Sequence, residues 1–427
     1  MKLRSSKSLS SLAVLAMLLT ACSGSPSDGP NESAAPGENP SGTLTFANWQ
    51  WLEPTRGDET WAAVSAYTEV NKGAKLEKQI VTRADYEKTI NTQVGAGGGP
   101  DIFVIADGSY PALAASGALE PLDGVLTQEE TAALLPVNKD YVTDGKQLAL
   151  VWNTTAYALY WNKNITDAAG ISSVPTTIEE LIEAAKTVKD KTGKTGFVVR
   201  HQMNEETPWW SDFSNWAFGY GGAWSNGKEL TINSPENIAG LAALKEIYAS
   251  GAFGIGDDAS TYRSKFAAGE VGYVIDNAAA LWTSVADNDI VPSKAVGAAV
   301  LPFPGGSSTA IGVTIAINAH SKNKELAKDF LRWMFTEDAQ AALATSLFPG
   351  GVGTAATASQ DLVNANPWVD AFYKQAADSQ NVIVKGFGVK TPQISHIILT
   401  QVQRLLTSDI SAKEAFDTAQ KEAEALG

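Results

Sequence analysis

Cysteine is nearly absent from this 427-residue chain, with Cys22 the only one. A single thiol cannot close an intramolecular disulfide, so no disulfide framework holds the fold. Histidine is almost as scarce. His201, His320 and His396 lie far apart, with no His-x-x-x-His pair, so transition-metal sites and cysteine nucleophiles have little support, and neither metal nor cofactor is expected. No Walker A stretch and no G-x-S-x-G stretch occurs, so ATP hydrolysis would belong to a separate protein. Positive charge is also short: 32 Lys and Arg stand against 47 Asp and Glu, a formal net charge of −15. Such a surface repels nucleic-acid phosphates and anionic headgroups, which argues against nucleic-acid binding. No internal repeat is visible, and beyond the N-terminus no run approaches the roughly 18 apolar residues a membrane span needs.

Apolar residues make up 44% of the chain, including 12 Trp, 11 Tyr and 14 Phe. That is enough to build a sizeable core, in one very large domain or two to three ordinary ones. Lys2, Arg4 and Lys7 precede the short apolar stretch Leu12 to Leu19, which reads as a secretory signal peptide over 1–21. Leu19-Thr20-Ala21-Cys22 resembles the lipobox of bacterial lipoproteins, where Cys22 becomes the lipidated N-terminus; the alternative is an incidental cysteine beside an ordinary cleavage site. Residues 22–40, rich in Ser, Gly and Pro, read as a flexible tether with a reach of roughly 20–25 Å. The membrane would be met only through the lipid.

Leu44 to Ala47 alternates as a strand, and Asp101 to Ile105 is an apolar run behind the glycines at 95 and 97–99, the pattern of a buried strand in a parallel sheet. Trp61 to Val70, with helical spacing between them, makes a β-α-β unit. After Pro175, Thr177 and Glu180 stand at capping-box spacing, and Ile178, Leu181, Ile182, Ala185 and Val188 share a face before Gly193. Strands are expected at Phe197 to Val199, Gly269 to Ile275 and Ile311 to Ile317. Helices are expected from Ser321 and over Ser411 to Leu426. Alternating strands and helices make the fold class α/β.

Six segments then match one family in order: Gly99–Phe103 with Ala115–Leu119, Leu159–Lys163 (LYWNK), Pro175–Leu181 (PTTIEEL), Phe266–Glu270 (FAAGE), Ser321–Leu331 and Thr391–Ser395 (TPQIS). Behind a lipoprotein signal, this chain resembles extracellular solute-binding proteins of the carbohydrate-uptake class, the receptor components of ATP-binding-cassette importers, which include the maltodextrin-binding proteins. The resemblance implies a two-lobed periplasmic-binding-protein-like fold with a three-crossing hinge and a ligand cleft between the lobes. Lobe 1 would be 41–156 plus 311–352, and lobe 2 would be 157–310 plus 353–427. It also implies an oligosaccharide ligand, permease subunits with a separate ATPase subunit, a monomer on the outer face of the cytoplasmic membrane, and no catalytic residues.

Sugars present C–H faces and rims of hydroxyls, so their sites need flat aromatic rings and planar polar side chains. Pro208 to Phe218 with Trp224 is the densest aromatic segment. Trp209 and Trp210, after a proline at an element start, are expected in the cleft, with Phe213 and Trp216 in the core. Trp49, Gln50, Trp51 and Glu53 follow the first strand at a position where the family contacts ligand. Asp107, just past a buried strand, is either a ligand contact or a helix cap. Trp152 and Asn153 lead into the first hinge crossing, Asp276 and Asn277 follow another strand, and His396 could contact a sugar. Departures are also visible: Thr155 stands where the family often has an acid, Ala279 and Ile398 stand where its maltodextrin binders have tryptophan, and Trp282 lies one turn beyond the first of these. The ligand is therefore not expected to be a maltodextrin held in the usual way. The same fold holding a cationic amine or peptide, and a secreted glycoside hydrolase, are the alternatives.

Overall fold

The computed structural model describes residues 40–53 and 56–427, so the expected signal peptide, Cys22 and nearly all of the tether lie outside the described residues. Among the described residues nine strands form one sheet: β1 (Gly42–Ala47), β2 (Ala74–Gln79), β3 (Ile102–Ala106), β4 (Leu150–Asn162), β5 (Thr195–Val198), β6 (Val271–Asn277), β7 (Val296–Ala299), β8 (Ser308–Ile317) and β9 (Ser379–Gln380). Their order is β2-β1-β3-β8-β4-β6-β5, with β9 on β8 and β7 on β4.

The sheet is mixed rather than parallel. β1 runs parallel to β2 and β3, and β5 parallel to β6. β8 is antiparallel to β3 on one side and β4 on the other, and β4 is antiparallel to β6. The expected β-α-β unit is in fact two crossovers, because β2 and the helix Arg83–Gly95 intervene before β3. β2 carries no alternating apolar signal: its sequence is Ala-Lys-Leu-Glu-Lys-Gln, the charged pattern of an edge strand that discourages further pairing.

Elements with a strong local code form where their residues dictate. In the helix Ile178–Thr192, Thr177 Oγ1 accepts the Glu180 N–H at 3.2 Å, and Gly193 closes the last turn at φ 70°. Glu180 reaches back one residue further than a capping box requires, accepting from the Thr176 N–H and hydroxyl at 2.8 Å each. The buried face holds the five residues read from the sequence. The helix Lys324–Met334 likewise buries Leu326, Ala327, Phe330, Leu331 and Met334.

The buried side chains divide between two regions. One core takes residues from Leu44 to Trp152 and from Ala310 to Val352. Two further clusters, containing Tyr157 and Leu159 on one hand and Ala158 and Tyr160 on the other, cover the opposite faces of β4, β5 and β6 and draw on residues between Tyr157 and Ala423. β4 therefore passes from one region to the other along its own length, with Leu150–Trp152 in the first and Tyr157–Tyr160 in the second. β8 does the same. Ile315–Ile317 sit in the first core, while the Thr309 N–H donates to Asn215 Oδ1 at 2.8 Å and its hydroxyl to the Ser211 carbonyl at 3.0 Å, both on the helix Glu206–Phe218. A third strand of chain joins them where Gly351 and Thr154 exchange backbone hydrogen bonds of 2.8 and 2.9 Å.

Candidate functional site

In sheets of this kind ligands gather beyond the carboxyl ends of the strands, where loops leave the sheet and backbone groups are free. Four such ends converge on the crossing strands β4 and β8. After β1, the 3-10 turn Trp49–Leu52 is capped by Asn48, whose Oδ1 accepts the Gln50 N–H at 2.9 Å. Gln50 Oε1 then accepts from Trp152 Nε1 at 2.9 Å, so two residues 102 positions apart, both singled out from the sequence, meet across β4. Next along β4, Asn153 Nδ2 donates to the Gly351 carbonyl at 2.9 Å.

After β3, Asp107 begins a short turn but caps nothing, contrary to the alternative left open by the sequence. Its Oδ1 accepts from the Tyr141 hydroxyl and its Oδ2 from the Gly312 N–H at 2.7 Å. Burial pushes this carboxyl up to about 7; the two donors pull it down and neighbouring Asp140 pushes it up. Asp140 is itself raised by burial, partly offset by the Asn381 N–H at 2.9 Å and by Lys385.

At the end of β6, Asp276 has no exposed surface. Arg263 holds it through Nε at 2.8 Å and Nη2 at 3.0 Å, and the Tyr262 hydroxyl donates at 2.8 Å. Asn277 donates to it from both N–H and side chain, while its own Oδ1 caps Ala280. The register places Tyr157 of β4 opposite Asn277. The Tyr157 hydroxyl is buried without a partner, and its pKa is raised by burial and by Asp276. After β5, Arg200 is buried against Asp212 and lies 3.3 Å from Glu205.

The aromatic residues fare differently from the expectation. Trp209 is 0% and Trp210 4% exposed, as buried as Trp216 at 1% and Phe213 at 1%, so the division into cleft and core made on the sequence is not reproduced. The proline that suggested a free start lies inside the helix Glu206–Phe218, which buries both tryptophans among Phe213, Trp224 and Phe416. Trp49 and Trp51 are buried too. Arg83 covers the Trp49 ring at 4.6 Å, and Lys78 lies between the Trp51 and Trp61 rings at 5.9 and 5.0 Å. Trp51 donates to the Phe46 carbonyl at 3.1 Å and stands edge-on to that ring. His396 is exposed beside Glu206 at 3.1 Å.

Glu53 remains partly exposed, paired with Arg56 at 3.3 Å, and Arg56 Nη2 donates to the Leu347 carbonyl at 3.2 Å. The next residue, half-buried Phe348, stands edge-on to half-buried Trp282 at 5.2 Å. Leu347 belongs to the first core, and Phe348 and Trp282 pack against the second region, so this line of contacts crosses between them. Tyr141, Gly312, Arg56, Phe348 and Arg263 were not found from the sequence. Only Gly312 carried a local signal, a glycine inside the β-branched run Ile311 to Ile317. Among the described residues no cluster of His, Cys, Asp and Glu could hold a metal ion, and no helix is long and apolar enough to cross a membrane.

A family model described as bacterial extracellular solute-binding protein matches residues 53–341. The diacetylchitobiose binding protein DasA of Streptomyces coelicolor is 27% identical over 344 residues, covering 78% of each chain. The sn-glycerol-3-phosphate-binding periplasmic protein UgpB of Rhizobium meliloti is 23% identical over 410 residues, 87% of this chain and 91% of its own. In fold, the crystal structure of the cyclic alpha-maltosyl-1,6-maltose binding protein from Arthrobacter globiformis matches with a TM-score of 0.78 at 19% identity, over 90% of this chain and 99% of that one.

Proposed function

Because the chain belongs to the bacterial extracellular solute-binding protein family, we propose that it is the extracytoplasmic receptor of an ATP-binding-cassette importer, capturing an oligosaccharide between two lobes and handing it to permease subunits served by a separate ATPase. The observation that carries this reading is the convergence of polar side chains from both regions on β4 and β8: Gln50 and Asp107 from one side, Asn277 and Tyr157 from the other. Their carboxylate, amide and hydroxyl groups match the hydroxyl rim of a sugar. Half-buried Trp282 and Phe348 offer ring surface, whereas the Trp49 ring is covered by Arg83. That covering also counts against a cationic ligand boxed by Trp49, since the chain's own guanidinium occupies the face.

The lobes are proposed as 41–156 plus 311–352 and 157–310 plus 353–427, working as a monomer. A ligand that touches both favours their closed arrangement; one that touches a single lobe shifts nothing. Anchoring through a lipid on Cys22 would keep the receptor at the outer face of the membrane. Loss of radiolabelled palmitate incorporation in C22A is the expected check.

The ligand class is tested by calorimetric titration with diacetylchitobiose, cyclic alpha-maltosyl-1,6-maltose, maltotetraose and sn-glycerol 3-phosphate, with small-angle scattering in parallel. Heat and compaction with at least one sugar, little changed by ionic strength, are expected. Heat with sn-glycerol 3-phosphate alone, or with none of the sugars, overturns the oligosaccharide reading. Release of cleaved product on long incubation overturns the reading as a receptor.

A further inference from the structure

Three separate parts of the chain meet at Asp107. The residue itself follows β3 directly; the Tyr141 hydroxyl arrives from the turn Pro136–Tyr141, and the Gly312 N–H arrives from the middle of β8 at 2.7 Å. The contact is close enough to dictate a residue. A Cβ at position 312 would fall on the Tyr141 hydroxyl and within 2.8 Å of Asp107 Oδ1, so β8 can lie here only as glycine. Tyr141 has no exposed surface, and its ring stands edge-on to Tyr110 at 5.0 Å, which holds the phenol in place. On the same turn, Asp140 points to the other region. It accepts the Asn381 N–H at 2.9 Å, and the next residue, Val382, gives its carbonyl to Trp210 Nε1 at 2.9 Å. Among the described residues Asn381 Nδ2 is buried without a well-formed hydrogen bond, and its side chain lies close enough to Tyr141 to lower that phenol's pKa against the stronger effect of burial.

We propose that Tyr141 is a positioning residue for ligand binding: by clasping Asp107 against the crossing strand β8, it orients the carboxylate and favours its ionised form as an acceptor for a ligand hydroxyl. This rests on the oligosaccharide reading given above. A carboxylate has more lone pairs than the two donors use, so a ligand hydroxyl can still be received. The groups that face Asp107 are few. The turn contributes Tyr141 and Asp140, with Lys385 acting on Asp140; β8 contributes only an N–H; and Glu87 of the helix Arg83–Gly95 is directed to Ser109 Oγ at 3.4 Å. Burial already holds the carboxyl at about 7, with the Tyr141 hydroxyl opposing it. Removing that donor should raise the midpoint by about one pH unit.

Carboxyl carbon NMR of the free protein between pH 5 and 9 reads the midpoint directly in wild type and Y141F, with D107N used to assign the signal. Diacetylchitobiose titrations over the same range read its consequence. The expected result is an upward move of about one unit in Y141F, the same displacement in the pH at which affinity falls, and a flat profile in D107N. If Y141F does not fold, the ζ-carbon shift of Tyr141 in wild type serves instead: it should titrate with the Asp107 midpoint, and a Tyr141 signal that does not follow that midpoint overturns the proposal. An unmoved midpoint, or a loss of affinity by one factor at every pH, overturns the proposal. If wild type binds no sugar, the oligosaccharide reading fails while the NMR midpoint still decides whether Tyr141 governs Asp107.

Discussion

Asp107 and Asp276 occupy equivalent places, each at the carboxyl end of a strand beside a crossing strand, yet they are held by opposite means. Asp276 sits in a bidentate grip from Arg263, so its burial is matched by a fixed opposite charge. Burial would pull Arg263 down, but the carboxylate outweighs it and leaves the guanidinium above its ordinary range. Asp107 has only neutral donors, a phenol and an amide, and its charge is therefore conditional on pH. A buried acid with a cation is a structural pin; a buried acid with neutral partners is a group that a ligand or a proton can still address.

The largest test is to make Asp276 resemble Asp107. Arg263→Met should cost about 3–5 kcal/mol of unfolding free energy by urea denaturation, because a carboxylate without exposed surface is left uncompensated. A loss under about 1 kcal/mol would break the comparison.

Next comes Asp107 itself. Its folded pKa of about 7 stands above the ordinary 3.8, so the protonated form favours the folded state. That contribution is complete below about pH 4 and is lost as pH rises through about 7, with a slope of at most about 1.4 kcal/mol per pH unit. Asp107→Asn should remove this slope between pH 5 and 7 in chemical denaturation; an unchanged slope would place the titrating group elsewhere.

His201 sharpens the contrast with the reverse sign. Its Nδ1 faces the Val199 carbonyl at 2.8 Å, its Nε2 accepts the Gly256 N–H at 3.0 Å, and burial lowers its pKa. The neutral ring favours folding, so its contribution is present above about 6.5 and lost as pH falls below that. His201→Gln should flatten the decline on the acid side by about 1 kcal/mol. The smallest effect is expected at Arg83→Ala, about 0.5 kcal/mol by thermal unfolding, together with altered near-ultraviolet dichroism from an uncovered Trp49.

What could be read from the sequence follows the range of the interactions. The helix Ile178–Thr192 was legible because its cap, stripe and stop lie within 17 residues of chain. β2 was not, since an edge strand of alternating charges has no apolar period. At the candidate site, Asp107 could be found from its place after β3, but its partners could not, because Tyr141 is 34 and Gly312 is 205 positions away. Trp209 misled for a related reason: a proline in the first turn of a helix looks the same from the sequence whether the next residue is buried or open. The mixed sheet was hidden because strand direction is set by which segments return to the first region, and nothing local to Ile311–Ile317 records that return.

The passage of β4 and β8 through both regions also fixes the order in which the protein can be completed as it is made. The first core needs β8 between β3 and β4 and side chains as late as Val352, so it stays open while more than 150 residues of the second region are synthesised. The second region in turn waits for the helix Ala412–Glu424, whose Ala423 lies in its core. Neither half can close before β8 is made, the first can close about 70 residues before the second, and a nascent chain stopped near residue 300 would lack the strand that joins β3 to β4.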